Sequence, residues 1–344
     1  MRRANLLKKI TLLSILVLLV GYLNRPAYCQ SKTGTAIGQF LKIEPSARIA
    51  GMGNAGTALN DELMAAYYNP AALGGLTSDI EVQFTHSLWL AELSYNYAAA
   101  ALVKGANRFK FSLTSLSSDE IRVRTVRQPH GTGERYTVQD IALGLTYARQ
   151  ITQSFNAGLE LTYLQERIWH STMDAFMMNF GMQYRIGKKG PYIGGSVSNF
   201  GVQAQMEGRD FRIRFDPDPD LHGTNNALPA ELYTEQYPLP VMFRAGISYP
   251  WEISERQELM VTINAYHPSD NTESISFGGE WTFMDILSLR GGYQNLFLED
   301  SIVGLTLGSG IQVDVQGFAL HFDYAWADYG RLQNTQRFTL RLEL

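Results

Sequence analysis

Most of this chain alternates apolar and polar residues with a period of two, the pattern of a strand whose two faces meet different surroundings. In one block Ile141, Leu143, Leu145 and Tyr147 share a face, with Asp140, Ala142, Gly144 and Thr146 on the other. In the next, Phe155, Ala157, Leu159, Leu161 and Tyr163 oppose Asn156, Gly158, Glu160 and Thr162. Near the end, Phe338, Leu340, Leu342 and Leu344 oppose Arg337, Thr339, Arg341 and Glu343. The pattern predicts strands at 80–88, 93–103, 107–117, 136–149, 155–168, 173–186, 192–203, 241–250, 257–268, 273–284, 287–297, 302–314, 317–328 and 336–344. Their lengths centre on the roughly ten residues that a tilted membrane-crossing strand needs. The gaps sort by parity: even-numbered gaps are all short, and odd-numbered gaps hold every long loop, notably 118–135 and 204–240. An antiparallel barrel with short turns at one end and longer loops at the other has this asymmetry, and a soluble sandwich has no reason for it. The expected fold is all-β, a transmembrane antiparallel β-barrel of about fourteen strands. Apolar alternate positions face lipid and polar positions face the lumen.

The stretch from Phe40 to Gly75 fits no strand pattern. Gly51, Gly53 and Gly56 let the backbone bend tightly or approach other groups closely. Asn60, Asp61 and Glu62 read as a helix start, Leu63 to Tyr68 as a short helix, and Asn69-Pro70 as its stop. Such a segment ahead of a strand array is expected to be a plug inside the closed sheet. The predicted lumen charges, including Asp140, Glu160, Arg185, Arg244, Glu280, Arg290, Asp314, Asp323, Arg337, Arg341 and Glu343, mix both signs. An ion-selective ring would favour one sign, so these charges are expected to hold the plug by internal pairing. Met177, Met242, Met260 and Tyr266 are the apolar positions that also point inward.

Ahead of the plug, residues 1–29 read as a secretory leader, with a basic start (Arg2, Arg3, Lys8, Lys9), an apolar run from Leu12 to Val20, and a cut after Cys29. The expected organisation is therefore a signal peptide at 1–29, a hatch at 30–79 and a barrel at 80–344. Without the leader, 24 basic residues face 33 acidic ones, a balance near −9 that argues against a nucleic-acid partner. The single cysteine leaves with the leader, so no disulfide or cysteine-based metal site is expected.

Signals for chemistry are sparse. The histidines His86, His130, His170, His222, His267 and His321 form no zinc-type spacing, and no nucleophile elbow or phosphate loop is present. Asp216, Asp218 and Asp220, alternating with prolines, lack the glycine and closing glutamate of a calcium loop and read as a stiff outer loop. Neither an enzyme nor a cofactor is expected, and no metal site.

The segments FLKIEPSARIAGMGNAGTAL and DELMAAYYNPAAL resemble the start of PorV/PorQ-family outer-membrane proteins, within the wider FadL-like barrel group, whose hatch carries an Asn-Pro-Ala signature, here Asn69-Pro70-Ala71. HSLWLAELSYNYAAAAL and FDYAWADYGRLQNTQRFTLRLEL agree with the same group. The resemblance implies a type IX secretion-related component that binds or shuttles secreted cargo at the cell surface. Its partners would be outer-membrane lipid, secretion-system subunits and cargo. The contact region would be the loop 204–240, with Phe211, Phe215, Leu221, Leu228, Leu232 and Tyr237. The alternative it implies is a FadL-like transport channel for hydrophobic small molecules. Loop parity would place both mature termini in the periplasm.

Overall fold

The computed structural model describes residues 34–218, 220, 227–298, 301–315 and 317–344, so the expected leader at 1–29 lies outside the described residues. Fourteen antiparallel strands close into a barrel: β1 (Ile80–Leu88), β2 (Ser94–Lys104), β3 (Asn107–Ser117), β4 (Val138–Thr152), β5 (Phe155–Ile168), β6 (Ser171–Arg185), β7 (Tyr192–Gly201), β8 (Met242–Ser254), β9 (Gln257–Pro268), β10 (Ser274–Phe283), β11 (Leu287–Leu296), β12 (Leu305–Val315), β13 (Phe318–Asp328) and β14 (Asn334–Glu343). The ring closes where β1 meets β14, with Glu81 opposite Glu343 and Leu88 opposite Gln336. No open edge is left to water or lipid in the wall. The long connections gather at one end, where 118–137 and 202–241 carry small hairpins, Ile121–Arg122 with Arg135–Tyr136 and Arg212–Phe215 with Leu228–Glu231.

Alternation sorts side chains as the sequence implies. Phe84, Phe111, Leu145, Leu161, Phe176, Ile247, Ile263, Leu307, Phe322 and Leu340 all point outward and are exposed. A continuous apolar belt of this extent far exceeds the few hundred Å² that soluble proteins tolerate, so hydrocarbon is its solvent. Inward positions are mostly polar, small or glycine, with Tyr95, Tyr97, Leu164, Met173, Met177 and Met242 as larger exceptions, and the lumen is filled by residues 34–79.

This hatch holds most of the buried apolar side chains of the molecule, among them Phe40, Leu41, Ile49, Met52, Leu59, Leu63, Met64, Tyr68 and Leu73. Its helices are short and differ from the expected ones. Helix α1 (Ala47–Gly51), too short and glycine-ended to show a period, is capped by Ser46, whose hydroxyl accepts from the Ile49 amide. Helix α2 (Ala65–Tyr68) starts two residues later than predicted and has no side-chain cap. The acids expected to start it are drawn elsewhere: Asp61 to Arg48, at 2.8 Å, and Glu62 to the Ser46 hydroxyl, at 2.6 Å. Asn69 leaves the helical region (φ −154°, ψ 109°) at the expected stop, and Pro70 opens a 3-10 turn, Pro70–Gly75.

Candidate functional site

Irregular backbone at membrane depth needs a partner for every amide and carbonyl, and the barrel wall supplies many of them. Thr339 accepts from the Ala47 amide at 3.0 Å, and Thr306 accepts from the Gly53 amide at 2.9 Å. Thr262 donates to the Ala55 carbonyl at 2.6 Å, Ser248 to the Ala58 carbonyl at 2.9 Å, and Ser196 to the Tyr68 carbonyl at 2.6 Å. Glu81 and Gln83 accept from the Leu63 and Met64 amides at 2.8 and 2.7 Å. Much of the polar lining therefore belongs to the hatch.

Close approach of the two backbones is possible because the wall lacks side chains where they meet. Three pairs of glycines face each other across adjacent strands: Gly158 with Gly181, Gly194 with Gly246, and Gly278 with Gly292. Each pair forms a notch that one piece of the hatch enters. A Cβ at Gly158 would fall 2.7 Å from the Ala71 amide nitrogen, and one at Gly181 would fall 2.9 Å from the Pro70 ring. The Gly194–Gly246 notch takes Thr57 and Ala58, with Thr57 Cβ 3.1 Å from the Cβ position of Gly246. The Gly278–Gly292 notch takes Met52 and Gly53, with Met52 Cα 2.6 and 2.9 Å from the two Cβ positions. Distances below 3.0 Å to backbone atoms leave no room for any side chain.

The sequence-derived hatch residues divide among these contacts. Asn69-Pro70-Ala71 sits in the first notch. The fully buried Asn69 amide donates to the Thr57 carbonyl at 2.9 Å and to Met182 of β6 at 3.0 Å, and its oxygen accepts from the Ala71 amide at 3.1 Å. Gly53 occupies the third notch in a left-handed conformation (φ 68°), Gly51 ends α1 against Gly308, and Gly56 packs on Ile49 and Tyr68. The outer-loop residues are spread apart. Phe215, Leu228, Leu232 and Tyr237 are exposed, Phe211 ends a 3-10 turn, and Leu221 lies outside the described residues.

On β10 and β11 the inward residues run in order from the long-loop end to the short-turn end. Ser274, Ser276 and Gln294 line a cavity of 460 Å³ above the hatch. Gly278 and Gly292 form the notch. Glu280, Thr282, Ser288 and Arg290 line a smaller cavity of 160 Å³ below it. That lower cavity holds a buried ion cluster. Glu280 binds both Arg48 of the hatch (2.6 Å) and Arg290, and Arg290 reaches Asp323 at 2.6 Å. Arg48 also pairs with Asp61 and, at 3.6 Å, with Glu62. The upper cavity is mixed, with Phe40, Ile43, Trp89 and Leu116 in its lining beside Asn264, Ser276 and Gln294. Of the predicted inward apolar residues, Met177 and Met242 are packed into the core against the hatch. A third cavity, 600 Å³, lies among the loops at the long-loop end, lined by Val123, Tyr136, Ile168, Trp169, Met206 and Phe211 with Arg122 and Arg124 beside them.

Alternation alone does not find the glycine pairs or Arg48. Their signal is lumen-facing glycines at equal depth on neighbouring strands and the single arginine of residues 34–79, and the first needs the register.

No family model and no curated protein matches the chain. Among solved structures it is similar to the Pseudomonas putida toluene transporter TodX, at 11% identity and a TM-score of 0.54 over 86% of this chain and 96% of that one. It is also similar to the Ralstonia pickettii toluene transporter TbuX, at 12% identity and a TM-score of 0.52 over 88% and 98% of the two chains. The CymD monoaromatic hydrocarbon channel matches at 11% identity and a TM-score of 0.51, over 87% and 96%. The likeness shows a shared fold, the closed antiparallel barrel. At such identities the likeness speaks for architecture alone, and the FadL-like and PorV/PorQ resemblances rest on the sequence motifs.

Proposed function

We propose that this protein is an outer-membrane channel for small molecules whose lumen is closed by the hatch. The observation that carries this reading is the stacking of two cavities on one sector of wall, separated by the contact of Met52 and Gly53 with Gly278 and Gly292. Hydrophobic small molecules are the ligand class that the named transporters support, and the apolar loop cavity around Trp169 and Met206 gives such a ligand a first place to rest. In cells with an intact outer membrane, the protein is expected to speed uptake of labelled toluene. Trp169→Asp with Met206→Asp is expected to abolish the gain. Equal uptake with and without the protein would refute the hydrophobic channel.

The orientation belongs to the same proposal, with both mature termini periplasmic and the loop 202–241 outside. A cysteine at Tyr233, which is exposed, is expected to react with an impermeant maleimide on intact cells, and one at Lys189 is not. The opposite labelling would invert the barrel.

The second reading is a type IX secretion-related role in binding cargo or partner subunits. The exposed Phe215, Leu228, Leu232 and Tyr237 favour it, because a protein partner would cover them. Recovery of secretion subunits in a pull-down from outer membranes would move the assignment to this reading.

A further inference from the structure

We propose that the cavity above the hatch is a binding site for a hydroxylated carboxylate, held by Arg337. Charge balance points to the acid group. Lys42 is neutralised by Asp270 at 2.6 Å, and Glu44, the acid lining the cavity, is engaged by Arg244 at 3.4 Å. Arg337 is 2% exposed, sits 5.2 Å from the centre of the Trp89 ring and hydrogen-bonds Tyr329. Among the described residues no carboxylate lies within ion-pair distance of it. Glu44 thus faces two buried guanidiniums, those of Arg244 and Arg337, and the one net positive charge left over matches one negative charge on a ligand.

The corner around Arg337 is also short of hydrogen-bond partners. Arg337 Nε, Ser87 Oγ and Thr335 Oγ1 are buried and unbonded, and of these residues Arg337 lines the cavity. Ser87 faces Arg337 across the β1–β14 seam and Tyr95 across β1–β2. Native structures rarely leave such atoms unpaired, and the free Arg337 Nε at the cavity wall marks a place for an added polar group. On the facing wall, Asn264, Ser276, Gln294 and Asn295 offer amide and hydroxyl groups, and Asn264 Oδ1 is itself buried and unbonded. These groups suit hydroxyls, which donate and accept at once. The volume of 460 Å³ lies in the range of small-molecule sites. This assignment goes beyond the channel reading, since occupancy of the cavity does not depend on passage through the hatch.

The test is equilibrium binding to the full-length, detergent-purified barrel, with D-glucuronate as the probe and D-glucose as the same ring without the carboxylate. Saturable binding of glucuronate is expected, with glucose at least about tenfold weaker. Arg337→Gln is expected to weaken glucuronate by about tenfold or more without lowering the unfolding temperature. Asn264→Leu, on the opposite wall, is expected to weaken both sugars, and it keeps the test decisive if Arg337→Gln does not fold. Lys189→Gln, at a short-turn loop, is expected to change neither. No binding of glucuronate, which is what a merely water-filled cavity gives, would overturn the proposal, as would equal binding of glucose or undiminished binding by Arg337→Gln. Toluene uptake tests the channel separately, so the two can fail independently.

Discussion

Valine at Gly292 is expected to unseat the hatch and turn a closed barrel into a conducting one with its strands intact. The new side chain would need the space now held by the Met52 Cα and the Gly53 backbone, and backbone cannot rotate away as a side chain can. Overpacking of this kind costs about 1–3 kcal/mol where atoms can give, and the rigid neighbours here put it at or above the top of that range. The barrel wall, with its fourteen-strand ladder, is the stiffer body, so the hatch is the part that moves. Gly291 is the built-in control, since nothing lies within 4 Å of its Cβ position on the lipid side. Gly291→Val is therefore expected to behave as wild type. Single-channel conductance in planar bilayers, with heat-modifiable gel mobility to certify folding, decides the matter. A folded Gly292→Val barrel as silent as Gly291→Val would mean that the hatch does not seat at this notch.

The second large effect is expected at Arg48. Replacing it with methionine keeps most of the volume and removes the cation shared by Glu280, Asp61 and Glu62. Arg290 would be left serving both Glu280 and Asp323. Removing one partner of a buried ionic cluster costs about 3–5 kcal/mol, because the remaining charges stay buried without compensation. Since Arg48 belongs to the hatch and Glu280 to the wall, that loss falls on hatch attachment. Protease sensitivity of residues 34–79 in the folded barrel is expected to rise sharply. Adding Glu280→Gln is expected to restore part of the protection, because Arg290 keeps Asp323. Wild-type protection in Arg48→Met would show that the notches alone hold the hatch.

The barrel was legible in the sequence because its wall is a two-solvent structure. Lipid on one side and a polar lumen on the other write a period of two into every strand, as at Leu143 and Leu145, and the strand positions follow within a few residues. The hatch obeys no such rule. Helix α1 has five residues, too few for a helical period, and the acids near Asn60 that resemble a helix start are committed to Arg48 and Ser46. The glycine notches were invisible for a different reason. Gly278 and Gly292 are separated along the chain by a hairpin, and their meeting depends on the register of β10 and β11. The cavity above the hatch draws its walls from strands at both ends of the chain, so Arg337 and Asn264 carry no shared local signal.

The three notches have a mechanical consequence. A body resting at three points is located, and one held at two can still turn about the line joining them. Release at Gly278 and Gly292, together with the Arg48–Glu280 pair and the Thr306 and Thr339 hydrogen bonds, would leave the hatch on Gly158–Gly181 and Gly194–Gly246, free to swing as a flap about that axis. The edge that lifts is the one between the upper and lower cavities, so the smallest movement that frees any contact would join those two spaces into one passage along β10 and β11.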